Sequence, residues 1–225
     1  MILTGSLING AAVVAGALVG MLGGKLLPER MKTAIISALA LITIGIAVPG
    51  LMGSSKPLVP ILSLIIGTII GEILDIDGAV NRFGEYLQKK VGGHGSFTEG
   101  FVTGSLVFAV GAMAVMGALD SGIKGDHSIL IAKSVIDAIS AVVFASTMGL
   151  GVAFSGVTVF VWEGLIALLA SVVAPYLSAD VIAEITFTGS LMIFAISFNM
   201  LGVTKIKVLN MIPALLLPIL LCRFL

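Results

Sequence analysis

The chain has 225 residues, of which 58% are hydrophobic and 11% charged, with mean hydropathy +1.21. A soluble domain carries roughly 25% charged residues, so this chain has too little polar surface to face water on all sides. Twelve basic and twelve acidic side chains cancel to a net charge of zero, which removes the electrostatic case for a nucleic-acid partner.

A helix needs about 20 mostly apolar residues to cross ~30 Å of hydrocarbon. Eight stretches qualify, near 4–24, 33–51, 57–75, 99–118, 128–150, 154–174, 183–202 and 207–223. The fold class they predict is an all-α polytopic membrane protein of a single membrane domain. The first stretch follows Met1-Ile2-Leu3-Thr4 without a basic n-region, so it reads as a retained span rather than a cleaved signal peptide. Its Gly16, Gly20 and Gly24, like Gly67/Gly71 and Gly100/Gly104 further on, are small residues four apart. In lipid, that spacing lets helix backbones approach closely.

The third stretch ends in Glu72, Asp75 and Asp77, the acids of a solvated helix end. The polar stretch 76–98 then predicts an interfacial helix, with Val80, Phe83, Leu87 and Val91 opposite Arg82, Glu85, Lys89 and Lys90. Within it, Gly92-Gly93-His94-Gly95 lacks the lysine and following helix of a nucleotide-binding loop. In the fourth stretch Val110-Gly111-Ala112-Met113 is a candidate helix break, as is Phe198-Asn199-Met200-Leu201-Gly202 in the seventh.

A charge inside a span costs roughly 2.5–3.5 kcal/mol on insertion scales and is a functional-site hypothesis by default. Lys133 and Asp137 are four apart on the fifth stretch, hence on one helix face and able to pair. Asp137 lies ~15 Å along that helix, and Glu163 roughly 12–14 Å along the next one at 1.5 Å per residue. The two acids therefore reach similar depth on consecutive helices, where with Lys133 they form a candidate site for a cation or proton. Asn199 joins them as a candidate. The competing reading is a neutralised structural pair beside a hydrogen-bonded Glu163, with Lys133 snorkelling outward. Asn9 and Asn210 are explained by interhelical hydrogen bonds, while Ser146 and Thr147 could supply oxygen ligands and are equally good at bonding back to their own helix.

Other chemistry finds no residues to carry it. His94 and His127 lie on loops assigned to opposite sides, and Cys222 is the only cysteine, so neither a metal site nor an intrachain disulfide is expected. No nucleophile elbow is present. The chain is not read as an enzyme, and no cofactor is expected.

Loops after the first, third, fifth and seventh stretches hold Lys25, Arg30, Lys32, Arg82, Lys89, Lys90, Lys205 and Lys207; the other side holds Lys56, Lys124, Lys133 and Arg223. Basic residues favour cytoplasmic loops, so both ends are expected outside the cytoplasm.

Thr-Gly-Ser-Leu recurs at Thr4–Leu7, Thr103–Leu106 and Thr188–Leu191. The offset of 99 between the first two copies lays three stretches over three, and the third copy leads two more. This predicts unit one at 1–75, a polar loop at 76–98, unit two at 99–175 and a partial unit three at 183–225. An odd number of spans per unit inverts the second unit, the arrangement secondary transporters use to build two access states. Lys133, Asp137 and Glu163 match Ala34, Ala38 and Leu64 at that offset, so a site would belong to the second unit alone.

Several strings resemble one family. Leu27-Pro28-Glu29-Arg30, Val110-Gly111-Ala112-Met113-Ala114, Ala132-Lys133-Ser134-Val135-Ile136-Asp137, Phe144-Ala145-Ser146-Thr147-Met148-Gly149 and Asn210-Met211-Ile212-Pro213-Ala214 resemble the bacterial membrane family catalogued as domain of unknown function 554, the YqgA/YdfK-like proteins. The resemblance covers the whole chain and implies a bacterial inner-membrane protein. It brings no catalytic or binding residue, and it implies glutamine in many relatives where this chain has Glu163.

The expected function is a small secondary transporter of a cation or small solute, working as a homodimer in the lipid bilayer. The alternatives are a channel whose constriction the same residues line, and a non-transporting assembly or regulatory protein.

Overall fold

Hydrocarbon offers no partner for a backbone N–H or C=O, so a membrane-embedded chain satisfies them within helices. The computed structural model of the chain describes residues 1–24, 28–91 and 97–225. It is helical throughout, with no strand among the described residues. The helices are α1 (Thr4–Gly24), α2 (Glu29–Leu51), α3 (Leu58–Leu74), α4 (Ile76–Val91), α5 (Phe97–Ala109), α6 (Ala112–Ile123), α7 (Ser128–Met148), α8 (Leu150–Leu168), α9 (Ala170–Val173) and α10 (Ala179–Met200). After α10 come a 3₁₀ helix (Val208–Leu215) and the short α11 (Leu217–Leu221). Lys25, Leu27, His94 and the side chains of Glu29, Lys32, Leu87, Lys89, Lys90 and Val91 lie outside the described residues.

Five helices are long and apolar enough to span, and two bent pairs raise that to seven. The eighth stretch, 207–223, is not a long α-helix. Pro213 and Pro218 remove two backbone donors there, and eight of its residues wind as a 3₁₀ helix. The polar stretch does form a helix, α4, whose part from Ile76 to Phe83 is bent 53° from α3 at Asp75. The three Thr-Gly-Ser-Leu copies do not all open a helix: Thr4 is the first residue of α1, Thr103 the seventh of α5 and Thr188 the tenth of α10. α5 and α10 begin earlier because Glu99 and Asp180 occupy their first turns, where a carboxylate complements the helix dipole.

Contacts divide the described chain into two compact units, Met1–Ile35 with Gly84–Pro175, and Ile36–Phe83 with Tyr176–Leu225. In the first, α1 buries a stripe of Gly5, Ser6, Asn9, Gly10, Val13, Gly16, Ala17, Gly20 and Gly24, and leaves Leu7, Leu18, Val19 and Leu22 exposed, as in lipid. Side chains at Gly16, Gly20 and Gly24 would collide with the backbone carbonyls of Ala138, Val142 and Ser146. Both series climb in step, so α1 and α7 run parallel with their backbones in contact. Gly10 meets Gly156 while Gly164 faces Leu3, so α1 and α8 are antiparallel. Gly149, at φ 73° and ψ −143°, turns α7 into α8 within a single residue, a conformation that favours glycine. α5 lies parallel to α8, with Gly100 on Met148 and Val152 and Gly104 on Ser155. It follows that α1 and α5, which carry the first two repeat copies, run in opposite directions.

The second unit is built around α3. Gly67 packs on Ala214 and Gly71 on Asn210, while Lys56 Nζ donates to the Cys222 carbonyl at 3.3 Å. The segment after α10 therefore retraces α3 antiparallel over its whole length. A 3₁₀ helix rises about 2.0 Å per residue against 1.5 Å for an α-helix. Residues 208–222 thus extend about 26 Å, matching the ~25 Å of α3.

Candidate functional site

α7 turns Leu130, Lys133, Ser134, Asp137 and Ala141 inward on one face. Asp137 is the tenth of its 21 residues, about 14 Å from the start of the helix and about 17 Å from its end. Glu163 is the fourteenth residue of α8, folded back beside α7 by the Gly149 turn. These placements bring together three of the four residues expected from sequence. Lys133 Nζ donates to Asp137 Oδ2 and lies 3.5 Å from Glu163 Oε1. Relative exposure is 7% for Lys133, 6% for Asp137 and zero for Glu163. The lysine does not snorkel.

The third acceptor on Lys133 is the main-chain carbonyl of Phe108. That carbonyl is available because α5 stops one residue later: Val110 closes on Leu106 O at 3.0 Å, and Gly111 takes φ 150°, ψ 154° before α6 begins. In a continuous helix residue 112 would donate to Phe108 O. At the break, which bends the chain by 60°, Lys133 replaces that donor. The first candidate break is therefore a break, and it belongs to the site.

Asn9 completes the cluster. From the small-residue face of α1, its Nδ2 donates to Glu163 Oε1 at 2.9 Å. The interhelical hydrogen bond expected of Asn9 is present, and its partner is the site carboxyl Glu163; the signal was a fully polar side chain on a face otherwise glycine, alanine, serine and valine. Two oxygens of this pair, Asn9 Oδ1 and Glu163 Oε2, are buried without a hydrogen-bond partner. Thr103 Oγ1, on α5, is also buried and unpartnered. Ser105 Oγ donates to Thr158 Oγ1 at 3.1 Å between α5 and α8.

Asn199 does different work in the second unit. Its Oδ1 accepts from Thr204 Oγ1 at 2.7 Å and Ile206 N at 2.9 Å, and its Nδ2 donates to Ile206 O at 2.8 Å. Its amide organises the turn after α10, where Gly202 has φ 71°, so the second candidate break is a helix end. Glu72 is half-exposed and bonded to Asn210 Nδ2 and to Lys207 Nζ at 3.3 Å, while Asn210 Oδ1 accepts from Asp77 N at 2.7 Å. Ser146 and Thr147 bond back to Val143 O and Phe144 O.

Glu184 was not anticipated. It is fully buried on α10 and accepts from Ser54 Oγ at 2.8 Å, Ser55 N at 2.9 Å and Lys56 N at 2.8 Å. It thereby pins the turn that leads into α3. At the start of α7, Asp126 accepts from Ser128 N at 2.9 Å and Ser128 Oγ at 2.6 Å, which holds its carboxyl below the usual range. His127 Nδ1 is 2.9 Å from Ser121 Oγ.

The arrangement is a lysine, two carboxylates and an amide near mid-span, beside an interrupted helix. It can take up or release a proton or bind a small cation through the two bare oxygens. It shows no nucleophile paired with a base.

Curated relatives match along almost the entire chain. An uncharacterized membrane protein of Bacillus subtilis (strain 168), YdfK, is 28% identical over 218 residues, covering 95% of this chain and 93% of the relative. The uncharacterized protein YqgA of Escherichia coli (strain K12) is 30% identical over 219 residues, with the same two coverages. No solved structure matches the chain. A family model described as "Protein of unknown function (DUF554)" matches residues 4–223, and this helical membrane protein belongs to that family.

Proposed function

We propose that the chain is a small secondary transporter of the bacterial inner membrane, moving a cation or small protonatable solute by alternating access. The observation that carries the reading is the Asn9–Glu163–Lys133–Asp137 cluster: buried near mid-span, bonded to a carbonyl freed by the α5–α6 break, and holding two acceptor oxygens with no donor. Interrupted helices whose exposed carbonyls meet charged groups at the midplane are how many secondary transporters build their sites. Opposed directions for α1 and α5 are what an inverted repeat requires, and they support two access states. The mechanism needs no covalent step.

The antiparallel course of residues 208–222 along α3 supports an eighth crossing, which would put both ends on one side, and the basic residues of the opposite loops assign that side as non-cytoplasmic. Cys222, the only cysteine, reports on this directly: a membrane-impermeant maleimide added to intact spheroplasts should label it, and labelling only after lysis would reverse the topology. Two copies are proposed to form the working unit.

Counterflow in proteoliposomes tests transport. Purified protein should accelerate exchange of a cationic solute in response to an imposed proton or sodium gradient, and Asp137→Asn should abolish that exchange. Gradient-independent leak that survives Asp137→Asn would instead indicate a channel. Absence of flux for every solute, with recovery of one stable membrane partner by crosslinking, would make it an assembly protein.

A further inference from the structure

The cluster has an uneven count of charges and donors. An ammonium has three N–H groups, and Lys133 directs them at Phe108 O, Asp137 Oδ2 and Glu163 Oε1. Lys133 and Asp137 neutralise one another. An ionised Glu163 would then add an uncompensated negative charge at zero exposure, with Oε2 bare. Among the described residues, none packed against it offers a second cation. α1 carries no titratable side chain; α5 brings Glu99 at its first turn, and α6 brings Asp120, paired at 2.7 Å with exposed Lys124 beyond the helix end.

The two bare oxygens belong to groups that already share one hydrogen bond. Asn9 Nδ2 donates to Glu163 Oε1, which leaves the amide oxygen and the second carboxyl oxygen each buried without a donor. One proton on Oε2, donated to Asn9 Oδ1, supplies both missing partners and removes the excess charge. Burial of a polar group is tolerated when it is hydrogen-bonded, and burial of a charge when it is paired; the proton meets both conditions.

We infer that Glu163 is the proton-carrying group of this protein, holding its proton against Asn9 and exchanging it with water when the site opens. The proton leaves Oε2 for water, and the charge left behind makes Glu163 a competitor of Asp137 for the Lys133 ammonium, already 3.5 Å away. Movement of Lys133 toward Glu163 draws it from the Phe108 carbonyl, so proton release loosens the donor that caps the α5–α6 break. This deepens the transport reading and, for its consequence, rests on it.

Difference infrared spectroscopy of the full-length protein in lipid, across a pH step, tests the inference. One protonated-carboxyl C=O stretch should be present at neutral pH, lost in Glu163→Gln and retained in Asp137→Asn. Asn9→Val should shift that band upward in frequency by removing its acceptor, a readout that holds even if Glu163→Gln fails to fold. The inference is overturned if no such band exists, if the band survives Glu163→Gln, or if sodium or potassium chloride alone raises the melting temperature of wild type but not of Glu163→Gln, which would assign the oxygens to a metal cation. Failure of the two readings is distinguishable: the band without flux defeats transport only, and flux without the band defeats the proton site only.

Discussion

Glu163 and Glu184 are both glutamates at zero exposure inside long helices, yet they occupy opposite chemical situations. Glu184 is saturated by a hydroxyl and two backbone N–H groups of the turn before α3. Glu163 has one oxygen bonded to Asn9 and the other bare. A saturated carboxylate has nothing left to bind and holds a turn in place; an unsaturated one at mid-span is a place for a proton or ion. The same contrast separates Asn199, whose amide is consumed by its own turn, from Asn9, whose carbonyl is unused.

The comparison can be broken by mutation. Glu184→Ala should have the largest effect on stability, because three part-buried donors of the turn before α3 lose their shared acceptor, at up to about 1–3 kcal/mol for each that water does not reach. The expected outcome is loss of monodisperse protein in fluorescence-detected size exclusion, with Glu184→Gln recovering part of it. If Glu184→Ala melts like wild type, Glu184 does not anchor the turn. Lys133→Met should come next, leaving the Asp137 carboxylate buried without its cation. Removing one partner of a buried pair costs about 3–5 kcal/mol, and the double change Lys133→Met with Asp137→Asn should regain most of it in a thermal melt. Glu163→Gln should leave the melting temperature near that of wild type at neutral pH, since an amide can supply the hydrogen that the proton supplies, while abolishing gradient-driven counterflow.

Smaller effects lie away from the carboxylates. Gly20→Val forces α1 off the backbone of α7 at Val142; overpacking of this kind costs about 1–3 kcal/mol and should lower the melting temperature with a proportionate loss of flux. The smallest expected effect is Asp126→Asn. The Ser128 bonds hold the Asp126 carboxyl low, so its contribution is present above the ordinary aspartate range and fades as pH falls through the lowered folded value. Wild type and Asp126→Asn should therefore differ slightly at neutral pH and converge in acid; a difference that grows in acid would reverse the assignment.

Much of the site was legible before the fold. Lys133 and Asp137 announce themselves by polarity at helical spacing within an apolar stretch, and Glu163 by depth alone. Val110-Gly111 marked the break, because glycine lets the backbone leave the helix. Asn9 and Glu184 were not legible as a site residue and an anchor, since each needs a partner about 130 residues or more away in sequence, and no local pattern encodes that pairing. Asn199 differs: its partners, residues 204–206, are five to seven positions away, and what the sequence does not show is that the turn after α10 folds back to consume its amide.

By itself, the sequence determined that this chain is a helical membrane protein, where the apolar stretches run and which of them carry charge, because length and hydropathy alone decide what hydrocarbon accepts. The tertiary structure decided that the eighth stretch winds as a stretched 3₁₀ segment along α3, since proline and close backbone contact outweigh apolar composition there. It also decided which buried carboxylate is saturated and which is open, because hydrogen-bond saturation depends on what the rest of the chain brings alongside.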